Sequence, residues 1–178
     1  EASVERDPSY QEGWHQLGLV HFRALRLEEA VYAIERAIGE GARDARVFTN
    51  LGIVLQHLNR LDEALERYAE ALELDPDRVS AHTNCASILT RRFEHAKAEV
   101  HLRHVLRLEP EHGNAWNNLG VLFRDTLRLD DAVGAFKKAV SASADPSLAH
   151  SNHLLTLNYL AGLSAPEVFA AHREYGES

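Results

Sequence analysis

A pattern of small and large residues returns every 34 positions along most of this 178-residue chain. Its most visible member is a leucine followed by glycine, with Cys85-Ala86 replacing it once. The pairs are Leu17-Gly18, Leu51-Gly52, Cys85-Ala86 and Leu119-Gly120. Self-similarity at such a period indicates a repeat architecture, in which each unit buries its apolar surface against its neighbours.

Each repeat contains two apolar stripes with helical spacing. We number the 34 repeat positions from the first residue of each repeat, and an α-helix turns by about 100° per residue. Positions 4, 7, 8 and 11 therefore share one face, and in the fourth repeat they hold Trp116, Leu119, Gly120 and Phe123. A second stripe follows at positions 20, 24 and 27, where small and bulky residues alternate. We predict two helices per repeat, packed as an antiparallel pair in an all-α solenoid.

The order aromatic, Leu-Gly, aromatic, Ala, aromatic, Ala and Pro over 34 residues resembles the tetratricopeptide repeat (TPR). This resemblance implies a right-handed superhelix with a concave surface that binds proteins or peptides. The expected repeats are residues 11–44, 45–78, 79–112 and 113–146. Residues 1–10, which contain Asp7-Pro8, are expected to end a preceding repeat. Residues 147–178 are expected to form a partial repeat helix and a capping or junction helix, since Ser164–Glu167 reads as a capping box.

The composition restricts the partners that the chain can have. A formal charge of −8 argues against nucleic acid and anionic lipid, which require clustered Lys and Arg. The chain has no apolar run of about 18 residues, so we expect no membrane span. A single cysteine and no visible signal peptide favour a reducing, cytoplasmic compartment. The lack of methionine suggests an excised segment of a longer protein.

Polar side chains recur on the face of the first helices opposite the apolar stripe. Position 6 holds an amide in five successive units: Gln16, Asn50, Asn84, Asn118 and Asn152. A side-chain amide is both donor and acceptor, so it can pair with the backbone of an extended peptide whatever the peptide's side chains are. The alternative is that these amides only hydrate or orient a neighbouring helix. Both interpretations remain open from the sequence.

Other candidate peptide-binding residues surround these amides. They are Thr49, Thr83 and Asn117 at position 5, Arg124 at position 12, and His57 and Arg91 at position 13. The positions of this open face sum to a small positive charge in an acidic protein. We therefore predict a preference for peptides that carry Asp or Glu.

No motif in the chain predicts covalent chemistry, a cofactor or a metal site. Phosphate-binding glycine loops, Cys-x-x-Cys pairs and nucleophile elbows do not occur. His150 and His153 fall at positions 4 and 7, so we expect buried imidazoles in a terminal helix. Cys85 falls at position 7 and is expected to be a small apolar core residue. We predict that the chain as given is not an enzyme.

The C-terminal segment is similar to a junction in bacterial protein O-GlcNAc transferase-like proteins, which belong to glycosyltransferase family 41. The matching stretches are residues 149–160, 163–167 and 171–173. The resemblance implies that Asn50, Asn84, Asn118 and Asn152 hold an acceptor protein. It also implies a following catalytic domain that uses UDP-GlcNAc, and none of its residues lies in this chain. The alternative is a free-standing TPR adaptor with no linked enzyme.

Overall fold

The computed structural model describes residues 8–160 and residue 173. Within 8–160 the regular elements are all helices, which confirms the prediction of an all-α fold. They are α1 (Pro8–Arg23), α2 (Leu27–Gly39), α3 (Ala45–His57), α4 (Leu61–Leu74), α5 (Val79–Arg91), α6 (His95–Leu108), α7 (Gly113–Asp125), α8 (Leu129–Ala142) and α9 (Ser147–Leu157). None of these helices has the length and apolarity needed to cross a membrane. The predicted capping box and residues 1–7 lie outside the described residues, whereas residues 8–10, predicted with 1–7 to end a preceding repeat, are part of α1.

The chain divides into two compact units, Glu1–Ile88 and Leu89–Ser178, with the boundary inside α5. In the first unit α1 packs on α2 and α3 packs on α4, while α2 also contacts α3. In the second unit α7 packs on α8, and α7 and α8 also contact α6 and α9, respectively. Each unit is thus built from helix pairs that pack on the next helix, as nearest-neighbour stabilisation requires.

Three-residue turns join the two helices of each pair. The third turn residue donates its backbone N–H back into the first helix, as Arg26 does to His21 O at 2.9 Å and Arg128 to Phe123 O at 2.8 Å. This closure places the middle residue in the left-handed region, with φ of 58–60°. The residues at this point are Leu25, Asn59, Phe93 and Leu127. The three apolar side chains among them are 78–83% exposed.

The predicted core of the second helices is confirmed. Positions 20, 24 and 27 are fully buried in all four repeats. The residues are Ala30, Ala64, Ala98 and Ala132, then Ile34, Tyr68, Leu102 and Phe136, then Ala37, Ala71, Val105 and Ala139. The Tyr68 hydroxyl donates to Gln56 Oε1 at 3.0 Å, and burial raises the pKa of that phenol.

The glycines at position 8 explain how the two helices of a pair come so close. A Cβ placed on Gly52 would lie 2.5 Å from Tyr68 Cε1, and one on Gly120 would lie 2.6 Å from Phe136 Cε1. Since real Cβ atoms do not approach other atoms so closely, the ring of the second helix lies directly on the backbone of the first. Gly18 has the same relation to Ile34, at 2.5 Å from Cγ1.

The buried face of the first helices differs in detail from the prediction. Positions 7, 8 and 11 are buried in α3, α5 and α7, but so are positions 3 and 10, while Trp116 at position 4 is half-buried. For α3 the reason is that it contacts α2 of the preceding pair as well as α4, which widens its buried arc. In α9 the buried residues are Ala149, Leu154 and Thr156. His150 and His153 are only half-buried, contrary to the prediction of buried imidazoles.

Two glycine-to-alanine changes test the close approach. Gly120→Ala should lower the free energy of unfolding by about 1–3 kcal/mol, because the added methyl collides with the Phe136 ring. Gly134→Ala in α8 should raise it by up to about 1 kcal/mol, because no atom lies within 4 Å of its added Cβ and alanine favours the helix. Urea unfolding followed by circular dichroism measures both. Equal destabilisation by both changes would contradict the assignment.

Leu127→Asn tests the strain in the turns. Leucine is disfavoured in the left-handed region, whereas asparagine tolerates it and occupies the same turn position as Asn59. The change should raise the free energy of unfolding by about 0.5–1 kcal/mol without altering the helix content. Leu129→Asn, two residues later at the start of α8, is the control and should not stabilise.

Candidate functional site

Repeat positions 2, 6, 9 and 13 form one continuous stripe along each first helix. Position 2 is exposed in every repeat, and so is position 13. Position 6 is half-buried at Asn50, Asn84, Asn118 and Asn152, and exposed at Gln16. The amides thus reach solvent from the middle of an accessible stripe in each helix, as a binding role requires.

Two of the amides also connect neighbouring first helices. In the first unit Asn50 Nδ2 lies 2.9 Å from His15 Nε2, which joins α3 to α1. In the second unit Asn152 Nδ2 donates to Asn117 Oδ1 at 3.0 Å, which joins α9 to α7. Both pairs link position 5 of one repeat to position 6 of the next. The sequence alternative of an amide that orients a neighbouring helix therefore has a physical basis at these two sites.

In the first unit Asn84 lacks such a connection, since position 5 of the preceding repeat is Thr49. Thr49 is 1% exposed and its hydroxyl donates to Ala45 O at 2.6 Å. Thr83 is half-buried and donates to Val79 O at 2.8 Å. Among the described residues the side chains of Asn84 and Asn118 make no hydrogen bond. Their donors and acceptors face solvent.

The remaining candidate peptide-binding residues differ in how far their polar groups are already engaged by other residues. Arg124 donates from Nη1 to Asn152 Oδ1 at 3.3 Å, and its Nε lies 3.7 Å from Asp125 Oδ1. Arg91 and His57 are exposed, with His57 Nδ1 2.9 Å from Ile53 O. Gln16 donates to Glu12 Oε1 at 2.6 Å. Two candidate arginines therefore share the first helices with the amides: Arg124 is engaged by Asn152 and Asp125, whereas the side chain of Arg91 makes no hydrogen bond or ion pair with another described residue.

His15, at position 5 of the first repeat, is buried, and its spacing within the repeat gave no sign of this environment. It is 3% exposed, and it lines a cavity of about 320 Å³ together with Glu12, Asp44 and Arg46. Desolvation lowers the pKa of His15, although the Glu12 carboxylate, with Oε2 4.0 Å from Nδ1, acts in the opposite direction. A neutral His15 accepts the hydrogen bond from Asn50 at Nε2 when the proton is on Nδ1.

The lowered pKa of His15 predicts a specific dependence of stability on pH. Below pH 6.5 the unfolded chain binds a proton at this residue more readily than the folded chain, so the free energy of unfolding falls as the pH falls. His15→Gln should reduce this dependence, measured as the difference in urea midpoint between neutral and mildly acidic buffer. The exposed His57→Gln is the matched control, and an equal reduction in both variants would contradict the argument.

The chain matches known repeat proteins in sequence. One tetratricopeptide repeat model matches residues 43–109 and a second matches residues 94–149. Protein O-mannosyl-transferase TMTC1 of Mus musculus is 30% identical over 132 residues, which cover 72% of this chain and 14% of that protein. Anaphase-promoting complex subunit 3 of Schizosaccharomyces pombe is 25% identical over 123 residues, covering 69% and 18%. The chain therefore corresponds to less than a fifth of the length of these two relatives.

Solved structures show the same fold. YrrB, described as a TPR protein with an unusual peptide-binding site, superimposes with a TM-score of 0.71 at 25% identity, covering 86% of this chain and 77% of that one. MamA from Desulfovibrio magneticus RS-1 superimposes with a TM-score of 0.79 at 17% identity, covering 94% and 92%. At that identity the MamA match concerns the fold alone.

Proposed function

Because the chain belongs to the tetratricopeptide repeat family, we propose that it binds extended peptide segments along the stripe of positions 2, 6, 9 and 13 of its first helices. The observation that carries the proposal is the set of solvent-accessible amides at position 6. An amide accepts and donates to a peptide backbone without regard to the peptide's sequence. The similar fold of YrrB, which is described as having a peptide-binding site, supports the same class of ligand.

The position-6 amides differ in how many hydrogen-bonding groups they retain for a ligand. A side-chain amide has two N–H donors and an oxygen with two acceptor sites. Asn152 uses one donor on Asn117 and one acceptor site on Arg124, so one of each remains for a ligand. Asn84 and Asn118 retain all of theirs. We infer that the first kind of amide fixes the helices and contributes weakly, while the second kind supplies most of the peptide contacts.

Charge beside the amides favours acidic peptides. Arg91 is exposed, and Arg124 is held against Asn152, with Asp125 as its one ion-pair partner among the described residues. Arg46 contributes less, because its Nε and Nη2 both donate to Asp44 Oδ2, at 2.9 Å and 2.7 Å. A peptide carboxylate near Arg91 or Arg124 would gain a partner without displacing a strong ion pair.

We further propose that the chain is the acceptor-binding arm of a protein glycosyltransferase. The resemblance of its C-terminal segment to the family 41 junction supports this, and TMTC1 is itself a protein O-mannosyl-transferase. Part of that segment lies outside the described residues. The second candidate is a free-standing adaptor, favoured by the match to a subunit of the anaphase-promoting complex. The length and content of the parent reading frame separate the two.

Asn84→Ala and Asn118→Ala together test the peptide site. The double variant should lose at least about tenfold in affinity for acidic peptides, because each lost amide removes hydrogen bonds of about 1 kcal/mol to the ligand. Its free energy of unfolding should stay within about 0.5 kcal/mol of the wild type, because neither side chain bonds to another described residue. Fluorescence anisotropy on arrays of short acidic and neutral peptides measures binding, and urea unfolding measures stability.

Two further variants serve as controls. Asn50→Ala should lower stability as well as binding, since it removes the contact with His15. Ser141→Ala, an exposed polar residue of α8, should change neither. Unchanged peptide binding in the Asn84 and Asn118 variant would assign position 6 a purely structural role.

A further inference from the structure

A groove of about 490 Å³ lies in the second unit between α6 and α8, with α7 beneath it. Leu119 and Phe123 of α7 form its buried floor, and Trp116 is half-buried beside them. We call it the α6–α8 groove and define it by Arg103, Arg107, Trp116, Gly134, Ala135 and Lys138. Its α7 residues occupy repeat positions 4, 7 and 11, whereas the amides occupy position 6 on a different face of the first helices, so the groove is a separate surface.

The charges around the groove are mostly positive. Four cations and two carboxylates line it, although the chain as a whole carries −8. Two of the cations are already paired: Arg103 with Glu99 at 2.6 Å, and Arg128 with Asp131 at 2.7 Å. Lys138 instead lies over the Trp116 ring, 4.1 Å from its centroid. In the part of the chain that the structure describes, no carboxylate is within ion-pair distance of Lys138 or Arg107.

The residues two repeats earlier show what opens this groove. The equivalents of Gly134, Ala135 and Lys138 are 68 positions back, and they are Glu66, Arg67 and Glu70. There Arg67 ion-pairs with both glutamates, at 3.6 Å and 3.0 Å, so the corresponding stretch of α4 carries three long side chains that pair with one another. Arg103 stands at the position of Glu35. The second unit therefore has smaller side chains at Gly134 and Ala135, and the opposite charge at Arg103 and Lys138.

We propose that the α6–α8 groove binds a short acidic peptide segment with an apolar residue between its acidic ones. The carboxylates would pair with Arg107 and Lys138, which lack such a partner among the described residues. The apolar side chain would enter the space beside Gly134, where an added Cβ has no atom within 4 Å, and cover the half-buried Trp116. Charge complementarity favours this ligand over a basic or neutral peptide, and the apolar floor favours it over a simple anion.

The two tryptophans provide a direct test. The Trp116 indole N–H donates to Pro110 O at 2.7 Å and borders the groove, whereas Trp14 belongs to the other unit and is an internal reference. The probes are blocked peptides of the pattern Asp-Glu-Leu-Asp-Phe-Glu, the same peptides with Asn and Gln for the acids, and inorganic phosphate. The acidic peptides should shift the Trp116 indole signal in nitrogen–proton correlation spectra, leave Trp14 in place and bind more weakly as salt increases.

Variants that copy residues of the first unit separate this site from the amide stripe. Gly134→Glu and Lys138→Glu restore the residues found at 66 and 70, and each should weaken binding of the acidic peptide at least tenfold. Lys137→Glu makes the same charge change one residue away, outside the groove lining, and should alter affinity less than twofold. In Asn118→Ala, which weakens binding at the amide stripe, the peptide-induced shift of the Trp116 indole signal should keep the same dependence on peptide concentration as in the wild type. Circular dichroism checks that each variant retains its helix content.

Several outcomes would overturn the proposal. They are an unshifted Trp116 signal with acidic peptides at millimolar concentration, equal shifts with neutral peptides, and equal losses in Lys137→Glu and Lys138→Glu. A shift by phosphate as large as that by the peptides would assign the site to simple anions instead. Loss of binding in Asn118→Ala would place the peptide on the amide stripe rather than in the groove.

Discussion

The contact of an aromatic ring or an isoleucine with a glycine backbone sets the geometry of this protein. Where Tyr68 lies on Gly52 and Phe136 lies on Gly120, the two helices of a pair approach as closely as a side chain allows. The alanines at positions 20 and 27 are fully buried in the same layer and leave room for this approach. A short turn then joins the two helices at little entropic cost. Its middle residue adopts the left-handed conformation whatever its side chain is, and for Leu127 this conformation is strained.

Repetition of that contact makes the surfaces of the first helices equivalent, so that one residue type can serve two purposes. Position 6 of one repeat lies beside position 5 of the preceding one. If position 5 offers a free acceptor, as His15 and Asn117 do, the amide bonds to it. Where position 5 is Thr49, the hydroxyl bonds to its own helix and Asn84 of the same unit remains open to solvent. Within a unit, the residue at position 5 therefore determines whether the next amide joins two helices or is available to a ligand.

Much of the fold could be predicted from the sequence because small residues and large ones keep a fixed spacing that only helix pairs satisfy. The spacing also located Cys85 in the core, where burial raises the pKa of its thiol to about 12. Periodicity within one helix could not predict burial at positions 3 and 10, since that depends on the neighbouring pair. For the same reason it misjudged His150 and His153. The hydrogen bonds of the amides depend on which acceptor lies opposite, and the burial of His15 depends on the cavity beside it. A pattern within one repeat contains neither kind of information.

Two glycines of the second unit illustrate how such a chain can acquire a new surface without losing its fold. Gly120 lies against the Phe136 ring and has no room for another atom, whereas Gly134 faces open space on the outer side of α8. Because stability is close to a sum over neighbouring helices, residues that touch no neighbour are free to change. Gly134, Ala135 and Lys138 stand where Glu66, Arg67 and Glu70 stand two repeats earlier, while positions 20, 24 and 27 are buried in both α4 and α8. Residues at the solvent-facing positions of a helix pair can therefore determine which ligand binds, while positions 8, 20, 24 and 27 maintain the packing of the helices.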